Sequence, residues 1–385
     1  MTETASADAA PDALAGVLRD APFVRLVARD DGDSLAAVAL LARALRARNT
    51  PFQARVAADP DPDPSEEDVS VTVGADAGAH AVSGEGRPAS TTAFAVAREL
   101  GADPDPVLAL AGVVAAGSVP GTDGSGDALA AAERTGRVER RPGVAVPTAD
   151  LADGLSASTL LRLPYSGEPE AARATLAELS LPADLDADAH RRLASLVAVD
   201  AATAPDASQR AATAVERALR PYATDGDDAP FATVGGYADV LDALAHQAPG
   251  TGIALALADE PSDDLRSAAL DAWRTHGLAA HRALAGATTG RYDGATVVRT
   301  DAPAATLPTV ARLARDYLSP EPVALALSAE AGALAAAATE PVDLGGVLRE
   351  LAVDFDGEGW GTPTRGAARF DGDVTEVAAA VRGAL

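Results

Sequence analysis

Three carboxylates crowd one tight turn near the N-terminus. They are Asp30, Asp31 and Asp33, within Phe23-Val24-Arg25-Leu26-Val27-Ala28-Arg29-Asp30-Asp31-Gly32-Asp33-Ser34. Oxygen donors at this density suit a hard divalent cation such as Mg2+ or Mn2+. The same residues also admit a second reading, in which Asp33 or Ser34 caps the helix that follows and the other carboxylates are solvated. The apolar run before the turn reads as a buried parallel strand, and Leu35 to Leu45 as an Ala/Leu-rich helix. In open α/β sheets, ligands bind beyond the carboxyl ends of such strands. That is where this turn sits.

Other chemistry-bearing residues are scattered. Asp76 and His80 follow a strand at 69–73. His276 and His281 are five apart on one predicted helix, so they do not share a face as i, i+4 residues would. With His246 they read as surface or core histidines. Trp273-Arg274 and Arg291-Tyr292 could stack nucleobases, although a helical tryptophan more often fills a core. Arg137, Arg140 and Arg141 form a small basic cluster suited to a phosphate, to a partner, or to a solvated turn. Gly235-Gly236 reads as a close-packing pair.

The elements that must position these residues follow from periodicity. Helices are expected at 12–19, 34–48, 90–100 and 106–116, with strands at 23–28, 52–57 and 69–73. Their β-α-β-β-α-α alternation points to a doubly wound parallel sheet over residues 1–120. Asp59-Pro60-Asp61-Pro62-Asp63-Pro64 reads as a stiff acidic loop. Residues 121–228 read as a mainly helical connector, ending in a surface linker at Asp225-Gly226-Asp227-Asp228. A second α/β domain is expected over 229–385. Its strands are placed at 251–258, 295–299 and 322–328, and its helices at 237–247, 262–285, 307–317, 343–352 and 374–384. A glycine-rich segment lies near its end, at 357–367.

Composition sets the solvent. The 385 residues carry 57 acidic and 31 basic side chains, a net charge of -26, and every basic residue is arginine. With 48% hydrophobic and 3% aromatic residues, the chain is not disordered but adapted to very high salt. At about 1 M salt the Debye length is only about 3 Å, so surface repulsion is screened. No cysteine is present, which excludes disulfides, thiolate zinc sites and cysteine nucleophiles. Met1 to Pro11 lacks the pattern of a signal peptide, and no long uninterrupted apolar run reads as a membrane span. A soluble, cytoplasmic protein is expected. Nucleic-acid binding through phosphate neutralisation weakens steeply with salt, so any such contact must come from local arginines, stacking or a partner protein.

The order of the pieces resembles the DHH phosphoesterase superfamily, in its archaeal RecJ-like branch with a C-terminal DHHA1 domain. The resemblance rests on the strand, Asp-x-Asp and helix at the start and on Leu-Arg-Leu-Pro-Tyr-Ser-Gly at 161–167. It rests also on Val234-Gly235-Gly236-Tyr237-Ala238-Asp239-Val240-Leu241 followed by Pro249-Gly250, and on the late glycine-rich segment. It implies a two-metal phosphodiesterase in which a pair of cations, roughly 3.5–4 Å apart, activates water and clamps phosphoryl oxygens. The motifs are only partly kept. In the first, His-x-Asp-x-Asp, Asp31 and Asp33 match but Arg29 replaces the histidine, and a guanidinium cannot ligate a metal. Asp76 is a shifted match to the second. The Asp-His-His triplet of the third is missing, with Gly84-Glu85-Gly86-Arg87-Pro88 in its place. Gly117 is followed by Ser118, not by the aspartate of the fourth. The DHHA1 Gly-Gly-His signature is replaced by Trp360-Gly361-Thr362.

The resemblance therefore implies a catalytically degenerate member with no cofactor. Asp31, Asp33 and Asp76 would be vestigial metal ligands. Gly361, Arg365, Gly366 and Arg291 would be phosphate or nucleic-acid contacts, the other reading of the glycine-rich segment being a structural turn with Trp360 filling a core. The implied role is a scaffold or regulatory subunit in DNA replication or repair, with weak single-strand binding. Its partners would be GINS-like proteins or an active RecJ-like paralogue. The alternative is a working Mn2+- or Mg2+-dependent single-strand exonuclease or nucleotide phosphodiesterase using Asp31, Asp33 and Asp76. A small-nucleotide binder is the third reading.

Overall fold

A computed structural model describes residues 10–62, 68–182, 185–224 and 229–385. In chain order the elements run α1 (Pro11–Asp20), β1 (Val24–Arg29), α2 (Gly32–Ala47), β2 (Phe52–Ala57), β3 (Val69–Val73), β4 (Ala81–Val82), α3 (Ala89–Glu99), α4 (Pro106–Ala115), α5 (Gly126–Arg134) and β5 (Val138–Arg140). Then come α6 (Leu151–Ala157), α7 (Pro169–Glu178), α8 (Ala187–Thr203), α9 (Arg210–Glu216), β6 (Tyr222–Thr224), α10 (Val234–Gln247), α11 (Pro249–Leu257) and α12 (Asp263–Ala285). Last are β7 (Thr288–Tyr292), β8 (Ala295–Arg299), α13 (Leu307–Leu313), a π-helical turn (Ala314–Leu318), β9 (Val323–Ser328), β10 (Ala333–Ala338), α14 (Leu344–Asp354), β11 (Glu358–Gly361), β12 (Arg365–Arg369) and α15 (Val374–Ala384).

The contacts divide the chain into two compact units, each built from two stretches. One contains residues 1–140 and 222–273, the other 141–221 and 274–385. Residues 229–273 therefore belong with the N-terminal stretch, and most of the expected connector belongs with the C-terminal one. Helix α10 is the physical reason: its buried face, Val234 to Ala245, packs on α2 and α4. The linker expected at Asp225–Asp228 lies outside the described residues, as do Asp63 and Pro64 of the acidic loop and the first nine residues.

The first unit is built on a parallel sheet in the order β2-β1-β3-β4. Strand β1 is central, pairing in parallel with both β2 and β3. Its neighbours leave Val24, Leu26, Val27 and Ala28 buried, which is why its run is continuously apolar rather than alternating. Helices α2, α3, α4 and α10 pack together beyond it. The expected α/β architecture is present, with the early strands and helices in place.

The second unit holds a six-stranded sheet in the order β11-β12-β10-β9-β8-β7. Strands β8 and β9 run parallel and the remaining pairs antiparallel. One face, with Val298, Ala324, Ala326, Ala335 and Ala337, packs on α13 and the helices of 141–221. The other, with Val297, Leu325, Leu327, Leu334 and Ala336, packs on α14 and α15.

Two expectations fail here. The segment 251–258 is helix α11, not a strand. A short apolar run fits either state by pattern alone, and Pro249 in the first helical turn favours the helix. Strand β10, Ala-Leu-Ala-Ala-Ala-Ala, was not anticipated because alanine favours helix. All six of its residues are buried between two layers, where small side chains let the helices approach.

Buried His281 ties α12 to the loop after α6, its Nε2 lying 2.9 Å from the Ser158 carbonyl oxygen. Burial, helped by the Arg162 and Arg312 charges, pushes its pKa down from 6.5 to about 4, against the pull of the Ser158 hydrogen bond. Between these two values the unfolded chain takes up a proton that the folded one refuses. Stability therefore falls as pH drops through that window and levels off below it. Asp33, whose pKa is raised to about 6, contributes with the opposite sign over the same window, so the His281 contribution is read as a difference between variants. Denaturation midpoints in concentrated KCl should fall more steeply with falling pH in wild type than in His281→Gln, whose amide can still donate to Ser158.

Candidate functional site

Strand β1 ends at Arg29, and the next four residues turn the chain into α2. Asp31 is the N-cap of α2, its Oδ1 accepting the Ser34 amide at 2.8 Å. Its Oδ2 accepts Arg29 Nε at 2.6 Å. Both carboxylate oxygens are thus engaged. The Arg29 guanidinium also donates through Nη1 to the Gly74 carbonyl after β3, which pins it across the ends of two strands. The pair is well buried, with 18% and 10% of the two side chains exposed.

Asp33 is buried and faces the start of α3. Its Oδ2 accepts the Ala89 amide at 2.6 Å, and its Oδ1 the Ser90 amide at 3.0 Å. Helix α3 has Pro88 at its own N-cap position, which supplies no capping side chain. Asp33 caps α3 from 56 residues away, satisfying amides that would otherwise be orphaned. Burial and the neighbouring Asp31 charge raise its pKa to about 6, while the Ser90 and Ala89 amides pull it back.

Helix α10 brings in two residues that the sequence reading missed as site residues. Asp242 Oδ1 accepts the Gly32 amide at 3.2 Å. His246 Nδ1 lies 3.7 Å from Asp30 Oδ2. Burial works against the imidazolium, but Asp30, with Asp242 and Asp31 behind it, holds its pKa above the ordinary value. A signal was present: Asp242 and His246 are i, i+4 on one helix face. Gly32 makes this approach feasible, since a Cβ there would stand 2.9 Å from both the Ala115 Cβ and the Asp242 amide nitrogen. The acidic turn is thus matched by the Arg29 guanidinium, with the His246 imidazole beside Asp30.

Asp76 does not join this group. It lies exposed in the loop after β3. Among the described residues, no three His, Cys, Asp or Glu side chains are placed to hold a metal ion. Both oxygens of Asp31 and both of Asp33 already accept protein hydrogen bonds, and a guanidinium lies against Asp31. These residues do not fit a pair of divalent cations.

The other candidates have structural partners. Trp273 is fully buried and donates to Asp239 at 2.8 Å. His276 pairs with Thr309 at 2.8 Å. Arg291 on β7 is held by Glu321 at 2.6 Å, and the Tyr292 ring is covered by the Arg382 guanidinium, 3.7 Å from its centroid. Arg137 pairs with Asp105, and Arg140 lies over Tyr222. Gly235 and Gly236 sit in the first turn of α10, where Thr233 caps the Gly236 amide.

The late glycine-rich segment is the hairpin β11–β12, in which Gly361 pairs with Gly366. Thr362 Oγ1 accepts the Arg365 amide at 3.1 Å, so the turn satisfies its own backbone. The glycines admit α14: a Cβ on Gly359 would overlap the Leu348 carbonyl, and one on Gly366 would come 2.6 Å from Leu348 Cδ1. Gly366 thus serves packing, and Gly361 serves the hairpin itself, where its φ of 145° and the neighbouring Arg365 carbonyl leave no room for a Cβ, while Arg365 points to the other face of the hairpin.

Known proteins place this arrangement. The chain is 50% identical over 383 residues to the uncharacterized protein rrnAC1427 of Haloarcula marismortui, covering 97% of this chain and 96% of that one. It belongs to the rrnAC1427 family. Residues 287–383 match the model of that family's C-terminal domain, a stretch that begins at β7 and closes with α15. The relative's origin agrees with the high-salt reading of the composition. Among solved structures, CDC45 from Entamoeba histolytica superposes with a TM-score of 0.61 at 8% identity, over 97% of this chain and 98% of that one. RecJ from Thermus thermophilus, in complex with Mn2+, superposes with a TM-score of 0.50 at 14% identity, over 99% of this chain and 56% of that one. This rrnAC1427 family member shares its fold with CDC45 and RecJ.

Proposed function

We propose that this protein is a catalytically degenerate RecJ-like DHH protein that serves as a scaffold or regulatory subunit in DNA replication or repair. One observation carries the reading. The Arg29 guanidinium stands on Asp31 at the place where the superfamily motif calls for a ligating histidine, and Asp33 is spent on capping α3. Cation and ligands have been exchanged for an internal network of charge and hydrogen bonds. The likeness in fold to CDC45 agrees with this reading.

The partners proposed are replication or repair proteins, either GINS-like or an active RecJ-like paralogue, in a cytoplasm of high salt. Co-purification from a native high-salt lysate tests this: a replication or repair protein should come down in stoichiometric amount, and recovery of metabolic enzymes alone would remove the support. The rival activity has its own assay. A 5′-labelled single strand incubated with Mn2+ in concentrated KCl should remain intact. Turnover that disappears in Asp33→Ala would establish a nuclease instead.

A further inference from the structure

The six-stranded sheet ends in an open edge at β7, which pairs with β8 alone. Which of its main-chain groups face outward follows from the next pairing across. The Gly294 carbonyl accepts the Val323 amide, and the Thr300 amide donates to the Leu327 carbonyl. Main-chain groups alternate sides along a strand. Thr296 and Val298 therefore bond to β9, while Ala295, Val297 and Arg299 bond to β7. The β7 partners of those three are Tyr292, Gly290 and Thr288. The amides and carbonyls of Thr289 and Arg291 are left pointing away from the sheet, and among the described residues nothing meets them.

Proteins ordinarily blunt such an edge with proline, lysine, a bulge or a covering segment. Strand β7, Thr-Thr-Gly-Arg-Tyr, has an unbroken register and none of these residues. Its one charge, Arg291, is offset by Glu321 at 2.6 Å. A second copy of the same strand fits this edge. Antiparallel pairing centred on Gly290 uses all five residues. Thr289 of one copy then exchanges its outward main-chain bonds with Arg291 of the other, so arginine faces threonine and not arginine. The two Gly290 residues meet as a non-hydrogen-bonded pair, the position of closest backbone approach. The Tyr292 ring lies over its own Gly290, where a Cβ would stand 3.1 Å from Cε2. Both rings thus lean towards the two-fold axis, as a cross-strand aromatic pair requires. Charge agrees. Two chains of net charge -26 repel wherever carboxylates meet, and no Asp or Glu occurs from Arg274 through Tyr292.

We propose that the protein forms a two-fold symmetric dimer by antiparallel pairing of β7 with β7 of a second copy, which joins two six-stranded sheets into one. Sedimentation velocity of the full chain in KCl on the order of 2 M tests this. The concentration should span about 1–200 μM, the range suited to a small edge interface. Wild type should move from the 38.5 kDa chain to twice that mass. Thr289→Pro removes an outward donor and leaves the β8 pairing untouched, a position where an edge strand tolerates proline. It should weaken association at least about tenfold, because symmetry removes the donor twice. Thr289→Ser should associate as wild type does, with circular dichroism unchanged in both. The chain has no cysteine, so a nitroxide on Thr288→Cys is unique. Thr288 faces Tyr292 of the other copy in this register, which puts the two labelled Cα atoms about 15 Å apart. The measured spin–spin distance should stay under about 30 Å once the label arms are added. A monomer at every concentration, undiminished association of Thr289→Pro, or labels well beyond that distance would overturn the proposal. If Thr289→Pro does not fold, the label distance decides alone.

Discussion

Replacing Arg29 with methionine is expected to destabilise the protein by about 3 kcal/mol, the scale for removing one partner of a buried ion pair. Methionine keeps much of the length of the side chain and removes its charge. Asp31 then remains beside Asp33 without the guanidinium that offsets both, and the Gly74 carbonyl loses its donor. The measurement is the denaturation midpoint in concentrated KCl. A second variant separates charge from packing. Asp31→Asn in the Arg29→Met background should recover part of the loss, because it removes the stranded carboxylate, and a double-mutant cycle gives the coupling. A loss below about 0.5 kcal/mol for Arg29→Met, the scale of an ordinary surface change, would mean that the guanidinium does not neutralise the turn.

Gly359→Ala should have an effect of similar size for a different reason. The new Cβ would overlap the Leu348 carbonyl and come 2.8 Å from the Arg349 amide nitrogen. These are backbone atoms of α14, which cannot swing aside as a side-chain tip can. The helix must lift from β11, loosening the core that Leu344 and Leu348 form with Ala368 and Phe370. Overpacking ordinarily costs about 1–3 kcal/mol, and a backbone clash belongs at the upper end, about 3 kcal/mol. Gly16→Ala is the control. That glycine sits within α1 with nothing inside 4 Å of its would-be Cβ, so alanine there should stabilise by about 0.5–1 kcal/mol. A mild effect at Gly359 would show that α14 is not held to the hairpin by backbone contact.

The first half of the fold was legible because its signals are local. The apolar run of β1, the capped turn after Asp31 and the Ala/Leu helix each announce themselves within a dozen residues. The helix at 249–257 and the strand at 333–338 were not legible, because alanine-rich apolar runs carry no period that separates the two states. Nor could the division of the chain be read, since α10 joins the first unit from beyond residue 221 through contacts that no local pattern announces.

The site divides in the same way. Asp31 and Asp33 were visible as an acidic pair beside Arg29, and helix capping was one of their two open readings. The sequence could not show that Asp33 caps α3 rather than its own helix, because that depends on a register between residues 56 apart. Asp242 and His246 were passed over although they share a helix face. The glycines of 357–367 left a phosphate-binding turn and a plain structural turn both open, because glycine spaced for helix packing and glycine spaced for phosphate read alike.

The central claim is that a guanidinium and backbone amides have taken the place of a metal pair. Titration of Mn2+ followed by its six-line electron paramagnetic resonance signal in concentrated KCl tests this most directly, with Asp33→Asn alongside. The account predicts that free Mn2+ rises identically for wild type and variant. Loss of two equivalents of signal in wild type, restored in Asp33→Asn, would contradict it.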